Sequence, residues 1–271
     1  MAHDGGIGCP KKAGTAMTET SNTRSLITVS GEDRVEFLQG LVTNDVTALG
    51  AGLIYAAMLT PQGKFLVDMF LFEEGEAIVL DINPACLEAL MARMKLYTLR
   101  SRVTLDVCER EVARGLGMGP DGSCVDPRHP VLGWRSYTGA GNPDPAPDWT
   151  AIRVRHCIPE TLIELIPERT FVLEAGFERL HGVNFHKGCY VGQEVTARMK
   201  HKTSLRKGLA VVGIDHPVAV GTPITIDARS VGVVYSQAED RAIAQLRFDR
   251  LGDGQLAAGA ARVTPPEQFL G

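Results

Sequence analysis

Two apolar runs, residues 53–59 and 65–72, joined by Thr60-Pro61-Gln62-Gly63-Lys64, restrict what this chain can fold into more than any other feature. Pro and Gly at these offsets suit a hairpin loop of three to five residues. The second run is apolar on both strand faces except at Asp68. A carboxylate buried there is costly without a partner, so Asp68 belongs in a pocket or a paired interior position. The competing reading places it at an exposed edge where the strand twists. A third run, 77–82, follows the acidic turn Glu73-Glu74-Gly75-Glu76. Asn83-Pro84 then supplies N-cap and N1 chemistry for a helix with Leu87, Leu90, Met91 and Met94 on its buried stripe.

Upstream, residues 24–29 are rich in strand formers, and Ser30-Gly31-Glu32-Asp33 reads as a helix start. Val35, Leu38, Leu41 and Val42 follow at helical spacing, with Phe37 widening the stripe. Thr43-Asn44-Asp45 has the composition of a turn that ends it. Another strand is expected over 103–107. Elements therefore alternate over 24–110 in an antiparallel α+β order. No G-x-G-x-x-G follows a strand, so a dinucleotide fold has no support.

Residues 138–149, rich in Gly, Pro and Asp, read as a linker. An apolar segment bounded by prolines occupies 159–168, and from Leu209 short Val/Ile runs alternate with turn residues, the pattern of a small all-β module. The expected units are a disordered leader over 1–23, an α+β region over 24–140, a second over 150–205 and a β-barrel over 206–271. The leader lacks the apolar stretch of a secretory signal. A net charge of −4 gives no global attraction for nucleic acid or membranes, and no run approaches the roughly 20 apolar residues that span a bilayer. The six cysteines form no C-x-x-C pair and no zinc spacing, and they read as free thiols in a reducing cytoplasm.

The densest chemistry lies between His186 and Lys207. Cys189 stands between Gly188 and Tyr190-Val191-Gly192, where glycines let the backbone turn and leave a thiol approachable. Lys187, or a protonated His186, would favour its thiolate. The plainer reading is an inert buried thiol. Gln193-Glu194 opens a helix or strand that would bring the Glu194 carboxylate beside this loop. Arg198, Lys200, Lys202, Arg206 and Lys207, with His201, form a basic strip. On a strand, positions 198, 200 and 202 would share a face able to hold a polyanion such as a polyglutamyl tail, phosphate or RNA. The alternative is a solvated edge protected by lysines. Histidine spacing offers no metal site.

Lys187-Gly188-Cys189-Tyr190-Val191-Gly192-Gln193-Glu194 resembles the signature of the YgfZ-type folate-binding family, which includes mitochondrial iron–sulfur assembly counterparts. Phe37-Leu38-Gln39-Gly40 with Thr43-Asn44-Asp45, then Pro61-Gln62-Gly63-Lys64, resemble further family motifs. Asp126-Pro127-Arg128 with Leu132-Gly133-Trp134-Arg135 is similar to a stretch of the mitochondrial branch. The resemblance implies a fold like the glycine-cleavage T-protein: α+β folate-binding domains around a central channel, followed by a small C-terminal β-barrel. It implies tetrahydrofolate as ligand, with Glu174 of Leu173-Glu174-Ala175-Gly176 as acceptor for the pterin edge. Asp68 would lie close by, and Lys187, Tyr190, Gln193, Glu194 and Arg198 would lie around the site. Cys189 is the implied reactive group. The implied role is support of iron–sulfur cluster assembly or repair, with client enzymes or assembly factors as partners. A folate-dependent aminomethyl or one-carbon transferase and an RNA-modification accessory protein are the alternatives. Val67 stands where the T-protein has a second aspartate, a departure that argues against aminomethyl transfer.

Overall fold

The computed structural model describes residues 23–139, 141–143, 145–201, 205–252 and 254–266; residues 1–22 of the expected leader, with Cys9, and Lys202 lie outside the described residues, while Thr23, expected as the leader's last residue, begins a strand. Five strands, β1 (Thr23–Ser30), β2 (Ile54–Leu59), β3 (Phe65–Glu74), β4 (Ala77–Ile82) and β5 (Thr104–Glu111), make one antiparallel sheet in the order β2-β3-β4-β1-β5. The two apolar runs pair as the hairpin β2–β3. Met58 faces Val67 and Leu59 faces Phe65, so Leu66 is an extra residue, a β-bulge. Beyond it the strand alternates: Phe70 packs with Tyr55 and Ala57 in one core, while Val67, Met69 and Leu71 enter another. Burial on both faces is why these runs read as continuous rather than alternating.

Helices α1 (Arg34–Gln39) and α2 (Leu87–Lys95) cover one face through Phe37, Leu38, Leu90 and Met94. Asp33 begins α1 without capping it; its carboxylate instead accepts from the backbone N–H of Arg102 at 2.7 Å, tying the helix start to the entry of β5. Asp45 serves as a turn former, accepting from the Thr47 N–H at 3.0 Å and opening the short 3-10 helix Val46–Ala51. Asn83 accepts from the Ala85 N–H at 3.0 Å, as the Asn-Pro pair predicts, although the first turn is 3-10 and α2 begins only at Leu87.

The other face packs on three elements. The first is a small sheet of β6 (Ala113–Gly115), β7 (Cys124–Val125) and β8 (Trp134–Ser136) in the order β6-β8-β7. The second is α3 (Trp149–Arg155), and the third is a turn-rich segment that contributes Phe177, Leu180 and Tyr190. Residues 193–200, open between helix and strand in the sequence, form a helix, α4 (Gln193–Lys200).

The remaining strands close into a barrel: β9 (Gly208–Ile214), β10 (Pro223–Ile226), β11 (Arg229–Ala238), β12 (Arg241–Leu246), β13 (Leu256–Ala258) and β14 (Ala261–Thr264), in the order β10-β11-β12-β9-β14-β13. It has its own core, with Val212, Ile224, Val234 and Leu246 fully or nearly fully buried. A buried polar clamp fastens it to the rest. The Glu164 carboxylate accepts from the Ser236 N–H at 3.0 Å and from the Glu160 N–H at 2.8 Å. Arg153 donates to the Ser236 hydroxyl at 3.2 Å and to the Ile158 carbonyl at 3.1 Å. No described helix is long and apolar enough to cross a membrane.

Candidate functional site

The segment 184–193 is threaded between two earlier motifs. The buried Lys187 ammonium donates to the carbonyls of Gln39 at 2.8 Å, Val42 at 2.7 Å and Asn44 at 2.9 Å. Its pKa falls to about 8 because burial penalises the charge, with Asp45 opposing. All three ammonium hydrogens are thus committed to the end of α1 and the turn that follows it, so Lys187 anchors the loop. The Val191 N–H adds a bond to the Gly40 carbonyl at 3.1 Å, and the Asn184 N–H one to Thr43 at 3.0 Å.

At the far end of the segment, two glycine turns meet. Gly192 has φ +85°, and a Cβ there would lie 2.6 Å from the Thr60 carbonyl oxygen; Gly63 has φ +73°, and its Cβ would lie 2.8 Å from Val195 Cβ. Only glycine permits both the left-handed backbone and the close approach. Pro61-Gln62-Gly63-Lys64 and the signature are therefore two halves of one contact. Between the anchors, Gly188 faces open space and the free thiol of Cys189 is exposed. Cys86 and Cys157 are buried, and burial raises their thiol pKa values to about 11 and about 12. Cys108 is disulfide-bonded, which corrects the expectation of six free thiols.

Tyr190 is buried, with its ring 5.1 Å from the Lys187 ammonium, and burial raises its phenol pKa. Gln193 and Glu194 open α4. Glu194 and Arg198 pair with each other at 3.0 Å, both on the solvent side with 87% and 67% of their side chains exposed. Lys200 pairs with Glu178, and Lys207 lies 3.1 Å from Glu174. Arg198 and Lys200 lie on a helix, so among the described residues the strand face is not formed, and carboxylates pair with Arg198, Lys200 and Lys207. The RNA-binding reading loses its geometric basis.

Asp68 is buried in β3, flanked by β2 and β4, and accepts hydrogen bonds from Tyr55 at 2.9 Å and from Thr161. It is a paired interior carboxylate, one oxygen to each hydroxyl. Tyr55 stacks on Phe177 at 5.1 Å, and burial together with Asp68 raises its pKa well above the usual phenol value. Val67 points into the opposite core, so no second carboxylate joins Asp68 from that position. Glu174 lies elsewhere in the cluster, beside Lys64 and Lys207. Burial raises its pKa, with Lys207, Lys64 and Arg247 opposing. The contact of Glu174 Oε2 with Lys207 is a charge pair without hydrogen-bond alignment, which leaves that buried oxygen without an aligned donor.

Sequence reasoning passed over a fully buried carboxylate, Asp81. Asp81 is fully buried and receives Arg24, Arg135 at 2.8 Å and the Tyr137 hydroxyl at 2.8 Å. Asp126 grips Arg128 with two bonds, at 3.0 and 2.8 Å. The Arg135 and Arg128 guanidinium groups lie over the Phe70 ring at 4.0 and 4.8 Å, and Arg128 also lies 5.5 Å from the Tyr55 ring. The Asp-Pro-Arg and Gly-Trp-Arg stretches thus build a buried ion network beside Asp68. A signal existed: Asp81 interrupts its apolar run just as Asp68 interrupts its own. Among the described residues, no group of three or more His, Cys, Asp or Glu side chains is arranged to hold a metal ion.

The architecture, an antiparallel α+β body with a closed six-stranded barrel, is the fold of a glycine cleavage system aminomethyltransferase T. The crystal structure of that protein from Bartonella henselae superposes with a TM-score of 0.67 over 90% of this chain and 82% of the other, at 13% identity. The family described as "CAF17, C-terminal beta-barrel domain" matches residues 206–269. Curated relatives named iron-sulfur cluster assembly factor IBA57, mitochondrial, are 30% identical in Mus musculus, over 76% of this chain and 70% of that protein, and 30% identical in Homo sapiens, over 77% and 71%. The homologue from Mycosarcoma maydis is 28% identical over 87% of this chain and 66% of its own length. The chain belongs to the IBA57 family of iron–sulfur cluster assembly factors, related to the YgfZ-type family its signature resembles. It spans about two thirds of the length of the curated relatives it matches. The cytoplasmic location expected from the cysteine pattern is overturned, since these relatives are named mitochondrial proteins.

Proposed function

We propose that this chain supports assembly or repair of iron–sulfur clusters in client proteins, with Cys189 as the group that meets the cluster or its carrier. One observation carries this reading: the thiol is exposed on a loop pinned at Lys187 and at Gly192, so its position is fixed while its sulfur stays accessible. A cluster commonly needs several thiolates, so a client or assembly factor would provide the remaining ligands. The test is rescue of client-enzyme activity in cells lacking the endogenous factor. Cys189→Ser should fold with unchanged Tm and fail to rescue; full rescue would remove Cys189 from the mechanism.

Tetrahydrofolate is the proposed small-molecule ligand, and the side chains support it unequally. Glu174 fits, because a buried carboxylate oxygen without an aligned donor can accept from an aminopyrimidinone edge. Asp68 fits less well, since both of its oxygens already take hydroxyl donors. Glu174→Gln should weaken binding of a reduced folate at least tenfold by calorimetry, about 1.4 kcal/mol, and Asp68→Asn should weaken it less. Absence of binding at high micromolar concentration would end the folate reading and leave the Cys189 reading standing. Aminomethyl transfer is disfavoured by Val67, and turnover of an aminomethyl donor with tetrahydrofolate would restore it.

A further inference from the structure

The face of β3 opposite Asp68 borders a cavity of about 310 Å³. The hairpin supplies its floor through the buried Met58 and Val67 and through Leu66, the extra residue of the bulge. One side is helical: Ala89 and Arg93 stand one turn apart on α2, with Ala85 just before it. Both alanines are exposed, and their small side chains keep the space open. The other side is the segment 162–168, fastened to β3 by the Glu168 N–H on the Phe65 carbonyl at 2.7 Å. Two of its lining residues, Leu162 at φ +68° and Glu168 at φ +61°, are non-glycine residues in the left-handed region. Such backbone persists where its surroundings over-determine it, and it gathers at ligand clamps. Leu162 is nonetheless 49% exposed, so the chain leaves half of an apolar side chain uncovered at a strained position. The charged residues lining the cavity are of opposite sign, Arg93 on the helix and Glu168 on the segment. Neither side chain has a hydrogen-bond or ion-pair partner among the described residues. Arg93 is half-buried and Glu168 exposed, so both are hydrated and open to a ligand.

We infer that this cavity binds a free α-amino acid with an apolar side chain. The floor would take the side chain, Arg93 the carboxylate and Glu168 the ammonium group, and Leu162 would gain the apolar cover it lacks. A zwitterion answers both charges at once. A simple carboxylate would meet Glu168 with like charge, and a simple amine would meet Arg93 in the same way. The volume lies at the small end of ligand pockets and suits one molecule of leucine or phenylalanine size. Cys86 also lines the space, and burial raises its thiol pKa to about 11, so it stays neutral and adds to the apolar surface. None of Asp68, Glu174 and Cys189 lines the cavity, so the inference stands apart from the function proposed above.

The full chain would be titrated by calorimetry with L-leucine and with L-phenylalanine at constant ionic strength. Two controls, 4-methylpentanoate and 3-methylbutylamine, keep the leucine side chain with a single charge each; a third, L-serine, keeps both charges without the apolar group. Saturable binding of at least one apolar amino acid is expected, at least about fivefold tighter than any control. Arg93→Gln and Glu168→Gln should each weaken it by at least about fivefold. Ala89→Phe, which places a ring in the space from an exposed helix position, should abolish it with Tm and near-ultraviolet circular dichroism kept. Glu174→Gln should bind these amino acids as wild type does, which separates this site from the proposed folate site. The inference fails if neither amino acid saturates at millimolar concentration or if a single-charge control binds as tightly as L-leucine. It fails equally if either charge variant binds like wild type. Those two variants, at positions that reach solvent, decide the matter even if Ala89→Phe unfolds.

Discussion

Asp81 and Glu174 are both largely buried carboxylates whose titrations run in opposite directions. Burial alone would raise the Asp81 pKa, but Arg24 and Arg135 outweigh it and hold the group below its ordinary value. Asp126 behaves alike under Arg128. Their folded-state pKa values are depressed, so their stabilisation is present above about pH 4 and is lost as pH falls through the folded values. Asp81→Asn leaves two guanidinium groups without their shared counter-charge and should cost about 3–5 kcal/mol in urea unfolding at pH 7. Glu174 has a raised pKa, so the folded state retains its proton longer than the unfolded chain does. Stability therefore declines as pH rises from the ordinary glutamate value through the folded one. Glu174→Gln should flatten that limb of a Tm-against-pH curve without lowering Tm at pH 7. Asp68 was legible because a lone carboxylate in an apolar run demands a partner. The role of Lys187 was not, since its three acceptors lie 143 to 148 residues earlier in the chain.

Among the elements, the hairpin and the signature loop act as one unit. Gly192→Ala would force a left-handed alanine whose Cβ meets the Thr60 carbonyl at 2.6 Å. A loss on the order of 3 kcal/mol is expected from strain and displaced backbone together. Hydrogen exchange should quicken at the hairpin loop as well as at residues 190–195. Gly188→Ala, with open space around it, should leave stability within about 0.5 kcal/mol, making it the matched control beside Cys189. Long runs with turn chemistry, such as β2–β3 and the strands of the barrel, were readable from periodicity. The small sheet was not, because strands of two or three residues cannot display a period. Helix α4 was left open between helix and strand at its start, and the strand pattern assumed for its cations failed. Their alternation had no apolar partner positions to fix a period.

Over the whole molecule, the barrel has its own core and meets the α+β body through α3 and the Glu164–Arg153–Ser236 clamp. Glu164→Gln keeps the shape but weakens charge-assisted bonds at a site with no solvent to replace them. Limited proteolysis should then release a barrel fragment near residues 201–208 faster than from wild type, while near-ultraviolet circular dichroism stays unchanged. A variant that resists cleavage like wild type would show that apolar contact alone holds the two parts together. The T-protein-like architecture was legible through motif resemblance, not composition. The compartment was not, because thiol spacing reports a reducing environment without saying which one.

The bulge at Leu66 also decides how β3 tolerates changes in length. On each side of it the strand keeps a separate odd–even count, and the extra residue absorbs the difference between them. Removing Leu66 would leave Phe65 and Phe70 in their core and Asp68 with its hydroxyls, whereas removing Met69 would exchange the two faces from that point onward. Chain length at this strand is thus buffered at one position and rigid at its neighbours.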